Sequence, residues 1–270
     1  MSNSKSFINY QKNKIDITIK VNVNPEWVEH FLQHYHENKH KNHDNVEIVY
    51  EKRNKLFKVE DKILNKIIVI KKFKLERIYD DLRFRVISSK AERSLEIARA
   101  LDNAGLKTPL PIAVIEKRGK YKKLIFSYYI SEYIDYDYNM LDIAKNYNHP
   151  ERKKILSLMP QLGKEIRKMH DSGIIHNDLH AGNILVKEIN NKNELYYIDL
   201  NRGRVKSELS DKERINDLKR LKFTDHEKEI LFKNYAPDRW EYFKEKVTEA
   251  RKKRRKFIDL KHKLRSIFKR

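Results

Sequence analysis

His176-Asn177-Asp178-Leu179-His180-Ala181-Gly182-Asn183-Ile184-Leu185 is the stretch that decides the fold. It spells H-x-D-x-x-x-x-N and runs into a short apolar strand, Ile184 to Val186. A turn rich in Asn and Lys follows, then a second apolar strand, Leu195-Tyr196-Tyr197-Ile198, which ends at Asp199. A carboxylate and an amide on one loop, with a second carboxylate after the next strand, is the arrangement phosphoryl transfer needs. One acid orients the acceptor hydroxyl, while an Asn and an Asp hold Mg²⁺ against a triphosphate. Asp178 or Asn183 alone would be read as a turn cap. With His176, Asp178, Asn183 and Asp199 all at the required offsets and flanked by strands, the kinase-type reading prevails.

Upstream of the loop, Ile155, Leu158, Leu162, Ile166 and Met169 recur at helical spacing, and Gly173 ends the pattern. Pro160 either kinks this helix or starts a second one. His176 is read as a buried brace for the loop rather than a proton shuttle. Downstream, Arg202 and Arg204 stand beside Asp199, placed either to clamp an anionic acceptor or to form ordinary salt bridges.

The first half reads as strands. Val46 to Tyr50, Lys55 to Val59 and Ile63 to Ile70 are three apolar segments joined by polar turns, an antiparallel sheet. A lysine closing the third needs an anionic partner, such as a nucleotide phosphate and a helix carboxylate. Lys71 and Lys72 point to opposite faces, and Lys71 is chosen. A helix over Ser88 to Ala104 carries Glu92 and Glu96 one turn apart. Glu96, nearer mid-helix, is the candidate partner of Lys71. A hairpin follows Pro109-Leu110-Pro111. Ser131-Glu132-Tyr133-Ile134-Asp135 is then where a first lobe hands over to a second, with backbone groups around Glu132 suited to an adenine edge. Before the sheet, Asn24-Pro25 starts a helix with an apolar stripe of Trp27, Phe31 and Tyr35. His30/His34 and His36/His40 are one turn apart and are read as solvated residues.

Composition constrains partners. The 270 residues suffice for one large domain or two lobes, and there is no cysteine for disulfides or thiolate metal sites. The longest aliphatic run, Ile67 to Ile70, is far short of the ~20 residues that span a bilayer. Met1 to Tyr10 lacks the apolar core of a secretion signal. Sixty Lys and Arg against 39 Asp and Glu leave +21, which attracts polyanions unless it is compositional drift toward lysine. From Tyr235 one long helical pattern carries Trp240, Phe243, Val247, Phe257, Leu260 and Leu264 around the basic run Arg251 to Lys256. It is suited to an anionic membrane face or to packing with a solvated back. Aromatic residues are not interleaved with that run, which weighs against nucleic acid.

These residues resemble the protein-kinase-like superfamily, and within it the lipopolysaccharide kinases that act on Kdo and core heptose. The resemblance rests on Ile68 to Phe73, on Ser88 to Pro111, on HNDLHAGNIL, and on Tyr197 to Arg204 with its Asp199-x-x-Arg202-x-Arg204 continuation. It implies an α+β, bilobal fold: a small first lobe of antiparallel sheet plus one helix, and a mostly helical second lobe. The bounds expected are an accessory segment at 1–45, lobes at 46–130 and 131–235, and a basic amphipathic helix at 236–270. It implies ATP and Mg²⁺, with Asp178 catalytic, Asn183 and Asp199 on the metal, Lys71 on the α/β-phosphates and Glu96 as its partner. It also implies a lipid-linked sugar acceptor (Kdo on lipid A, or core heptose), met at the cytoplasmic face of the inner membrane. Two departures stand out. No glycine-rich loop lies near Arg53-Asn54, and Asn177 replaces the arginine that reads activation-loop phosphate, with no A-P-E-like segment after Asp199. Both point away from a regulated protein kinase. The rivals are a choline- or aminoglycoside-type phosphotransferase, a non-catalytic membrane-binding scaffold, and a nucleic-acid binder.

Overall fold

The computed structural model describes residues 7–36, 46–51, 54–75 and 83–267, with side chains to 264. The chain forms two compact units, 1–103 with 108–135, and 104–107 with 136–270.

In the first unit, seven strands form one sheet among the described residues. They are β1 (Phe7–Lys12), β2 (Ile15–Lys20), β3 (Val46–Glu51), β4 (Asn54–Asp61), β5 (Lys66–Phe73), β6 (Pro111–Arg118) and β7 (Leu124–Glu132), in the order β1-β2-β6-β7-β5-β4-β3. Every pairing is antiparallel. β1 and β2 were not expected. Their hairpin turns at Asn13-Lys14, both with positive φ, the geometry of a tight two-residue loop without its usual glycine.

Strand alternation gives the sheet two apolar faces. One holds Ile17, Ile19, Phe57, Val59, Ile68, Ile70, Ile115 and Tyr128, packed with Trp27, Val28 and Phe31 of α1 (Glu26–His34). The other holds Phe73, Val114 and Tyr129, packed with Ala91 and Leu95 of α2 (Lys90–Asn103). The segment read as accessory therefore covers one face of the sheet. Its Trp27 Nε1 donates to the buried Asp61 at 2.9 Å, and Asp61 also accepts from the backbone of Ile63 and Leu64. That capped turn is why β5 begins at Lys66 rather than Ile63. His30, His34 and His36 are half-buried rather than freely solvated. His30 and His34 stack at 4.1 Å, and His36 bonds the Tyr128 hydroxyl at 3.0 Å. His40 lies outside the described residues, as does Arg53.

The second unit is mostly helical: α3 (Met140–Ala144), α4 (Arg152–Asp171), α5 (Asp211–Leu218), α6 (Asp225–Tyr235) and α7 (Trp240–Ile267). Short strands β8 (Tyr138–Asn139), β9 (Ile174–Ile175), β10 (Ile184–Ile189), β11 (Lys192–Tyr197) and β12 (Arg204–Val205) frame the central loop. α4 runs unbroken through Pro160. Burying Ile155, Leu158, Leu162, Ile166 and Met169 is worth ~2 kcal/mol each, against ~3 kcal/mol for an interior proline. Gly163 lets α6 approach, since a Cβ there would sit 2.4 Å from the Leu231 carbonyl. The tail is not one helix from Tyr235. Ala236-Pro237 breaks it, and α7 starts at Trp240. Phe243 and Val247 are buried, whereas Phe257 (66 % exposed), Leu260 (55 %) and Leu264 (47 %) are not.

Candidate active site

β10 and β11 pair antiparallel with Ile184 opposite Tyr197, turning through Asn190-Asn191, both at positive φ. This hairpin sets Asn183, at the start of one strand, beside Ile198 and Asp199, at the end of the other. The Ile198 N–H donates to the Asn183 carbonyl at 3.0 Å. Asn183 is buried, and its Nδ2 donates to the Asp178 carbonyl at 3.0 Å, which closes the loop and leaves Oδ1 as an acceptor. Asp199 sits in the left-handed region (φ 61°, ψ 48°), tolerated by a short polar side chain, and accepts a hydrogen bond from Asn201. One amide oxygen and one carboxylate form a hard-oxygen donor pair that suits Mg²⁺, which takes few protein ligands and completes its shell with phosphates and water. Among the described residues no group of three or more His, Cys, Asp or Glu could hold a metal ion by itself.

The loop is braced from beneath. His176 is buried, and its Nε2 lies 3.1 Å from the Ile198 carbonyl. A carbonyl only accepts, so Nε2 carries the proton. The His176 backbone N–H donates to Asp217 at 2.9 Å. Asp217, on α5, also faces His170 Nε2 at 3.3 Å, and His170 Nδ1 bonds the Tyr235 hydroxyl at 2.7 Å. Burial pushes the Asp217 carboxyl up, but His170 and the His176 N–H outweigh it and hold it below its ordinary value. Asn177 is left-handed (φ 60°) and donates to the Arg202 carbonyl at 3.1 Å. An Asn at this place thus serves the turn.

Asp178 is 6 % exposed and held by two guanidinium groups, with an imidazole nearby. Arg202 Nη1 lies 3.3 Å from Oδ2, Arg220 Nη1 pairs with Oδ1, and His180 Nε2 is 3.9 Å away. Burial lowers the pKa of His180, and its Nδ1 accepts from the Gly182 N–H at 3.1 Å. Arg204, on β12 opposite Ile175, turns its guanidinium to the carbonyls of Arg202 (3.3 Å) and Gly203 (2.6 Å), buttressing the loop. Sequence reasoning missed Asp217 and Arg220. Asp217 carried a faint signal, an acid beside Leu218 on the inward side of a short helix.

Lys71, Glu96 and Glu132 belong to the first unit. Lys71 lies on the α2 side of the sheet, 5.4 Å from the centre of the Phe73 ring, while Lys72 lies over Tyr128 on the other. Glu96 is exposed on α2, and among the described residues no ion pair joins it to Lys71. The burial stripe of Ala91, Leu95, Ala98 and Leu101 turns it outward. Glu92 instead caps α2 with Ser89 and pairs with Arg118 at 3.4 Å. Glu132 pairs with Lys66, and the N–H groups of Glu132 and Tyr133 donate to the Leu110 and Ile67 carbonyls at 2.9 Å.

A sheet-based unit and a helical unit, the latter carrying an H-x-D-x-x-x-x-N loop and an aspartate at the next strand end, define the protein-kinase-like class. The solved structure "WaaP in complex with acyl carrier protein" has the same fold, with a TM-score of 0.56 at 16 % identity over 75 % of this chain and 88 % of that one. Residues 36–255 match the Lipopolysaccharide kinase (Kdo/WaaP) family, and the chain belongs to it. The 3-deoxy-D-manno-octulosonic acid kinase of Haemophilus influenzae (strain PittGG) is 29 % identical over 55 % of this chain and 59 % of its own length. That of Mannheimia succiniciproducens is 32 % identical over 38 % and 40 %. The serine/threonine-protein kinase SSN3 of Eremothecium gossypii is 33 % identical over 43 % of this chain but only 19 % of its own. The chain thus spans between 19 % and 59 % of the length of these curated relatives.

Proposed function

We propose that the chain transfers the terminal phosphoryl group of ATP to a hydroxyl of the Kdo sugar on lipid A, at the cytoplasmic face of the inner membrane. The observation that carries this reading is the hairpin that sets Asn183 and Asp199 at one strand end, on the loop that presents Asp178. Family membership supports the sugar acceptor, and two relatives are named for Kdo.

Magnesium-ATP, when bound, supplies the electrophilic phosphorus and part of the charge neutralisation. The oxygens of Asn183 and Asp199 would hold the metal, and Lys71 would meet the α/β-phosphates. Asp178 orients the acceptor hydroxyl and takes its proton as the new O–P bond forms and ADP leaves. Such chemistry relies on positioning and electrostatics, which suits a loop tied at His176, Asn177 and Asn183. Among the described residues no helix is long and apolar enough to cross a membrane. The exposed Phe257, Leu260 and Leu264, embedded in a basic helix, support attachment to an anionic lipid surface.

The test is purified protein with ATP, Mg²⁺ and Kdo–lipid A, with products read by mass spectrometry. Wild type adds one phosphoryl group, and Asp178→Ala loses at least roughly 10²–10⁴-fold in rate. Phosphorylation of choline or an aminoglycoside in place of the lipid overturns the acceptor, and absence of any transfer overturns the enzyme.

A further inference from the structure

Asp178 is met by more positive charge than it can balance. Arg202 and Arg220 hold its two carboxylate oxygens, Arg220 following the end of α5. α7 runs alongside, with Arg251 Nη1 donating to the Leu221 carbonyl at 3.3 Å. Arg254, one helical turn further and half-buried, lies close enough for its charge to act on both Lys219 and Arg220. Burial, Arg254 and Arg202 together hold the Arg220 guanidinium below its ordinary value, against the pull of Asp178. Among the described residues, Asp178 is the only acid paired with Arg202 or Arg220, and none pairs with Arg254. Three cations sharing one carboxylate, two of them half-buried, raise one another's energy, and an anion arriving among them relieves it.

We propose that Arg202, Arg220 and Arg254 form a seat for an acidic group of the acceptor, a carboxylate adjoining the reactive hydroxyl, and that its arrival draws Arg220 off Asp178. Before the acceptor binds, Arg220 covers Oδ1, so Asp178 is shielded from water. Once the acceptor carboxylate takes the guanidinium, Oδ1 is released to accept the hydroxyl proton. The charge that binds the sugar thereby uncovers the base that acts on it. This inference deepens the reading above and rests on it for the identity of the acceptor.

Two probes test it. The Arg Nε–H resonances of nucleotide-free protein are followed by NMR on adding Kdo or its methyl ester. Separately, KM for Kdo–lipid A and for ATP is measured for wild type, Arg220→Gln, Arg220→Lys, Arg254→Gln and a charge-matched control. That control is Lys192→Gln, at the exposed end of the β10–β11 hairpin. Kdo is expected to shift the resonances of Arg202, Arg220 and Arg254 and the ester to leave them in place. Arg220→Gln and Arg254→Gln are expected to raise the acceptor KM roughly 10- to 100-fold, with the ATP KM within about twofold. Arg220→Lys, which keeps the charge and the fold, recovers part of the loss. A rise in the ATP KM instead would place these cations on the nucleotide. An equal effect of Lys192→Gln would reduce the cluster to general surface charge, and equal shifts by the ester would remove the carboxylate; each overturns the proposal. If Kdo shifts the three arginines while no lipid is phosphorylated, the seat stands and the acceptor reading fails.

Discussion

Glu116→Gln offers a quantitative test of how the sheet unit holds α2. The Glu116 carboxylate is 2 % exposed on β6 and accepts from the Ser127 hydroxyl at 2.6 Å and from Arg118 Nη2 at 3.2 Å. Arg118 also reaches Glu92 of α2 at 3.4 Å and donates from Nη1 to the Phe84 carbonyl at 2.8 Å. Burial, then the nearby Glu92 charge, push the Glu116 carboxyl up from 4.5 to about 7. The folded state therefore holds a proton between those values where the unfolded chain has lost it. Stability contributed by that proton is present below pH 4.5 and is lost as pH rises toward 7. At about 1.4 kcal/mol per factor of ten in proton affinity, the loss reaches about 3–4 kcal/mol above pH 7. A glutamine keeps the shape and the Ser127 bond without needing the proton, and the carboxylate's attraction to Arg118 is already part of the net shift. At pH 8 the variant should be about 3 kcal/mol more stable than wild type, a melting temperature about 6–12 °C higher. At pH 4.5 the advantage should vanish. Thermal melts of both proteins from pH 4.5 to 8.5 check this, and parallel profiles would refute the argument.

Asp217→Asn keeps the size of the group beneath His176 but turns one acceptor oxygen into a donor facing the His176 N–H and His170. A loss of about 3 kcal/mol in stability and at least a tenfold fall in kcat with unchanged ATP KM are expected, read by chemical denaturation and steady-state kinetics. Leu260→Ser with Leu264→Ser should weaken co-sedimentation with vesicles containing anionic lipid roughly tenfold per residue, since each exposed side chain contributes about 1.5 kcal/mol when buried in lipid; unchanged partitioning would remove this end of α7 from the lipid contact.

Much of the site was legible because its pieces are local. The Asp178-to-Asn183 spacing, the Asn190-Asn191 turn and the strand leading to Asp199 lie within one hairpin, so order along the chain fixes their proximity. Lys71 could be assigned a face for the same reason, since alternation along β5 separates it from Lys72. What could not be read depends on distant packing. Arg220 reaches Asp178 across 42 positions of sequence, and nothing about a basic residue after a helix reveals where its guanidinium ends. β1 and β2 went unseen because Asn13-Lys14 carries no glycine signal and because half of β1 is polar. The start of β5 was misplaced because Asp61 captures the backbone of Ile63 and Leu64. The bend at Ala236-Pro237 was written in the sequence, but helical periodicity on both sides masked it.

α7 is a single rod of 28 residues, about 42 Å long at 1.5 Å per residue. Its root is clamped in the helical unit at Phe243 and Val247, its middle brings Arg254 near the Arg220 that pairs with Asp178, and its far end exposes Phe257, Leu260 and Leu264. Ten residues separate Arg254 from Leu264, about 15 Å along the axis. The lipid attachment proposed for that end would keep Arg254 within about 15 Å of the surface. Sugars nearest that anchor would fall within its reach.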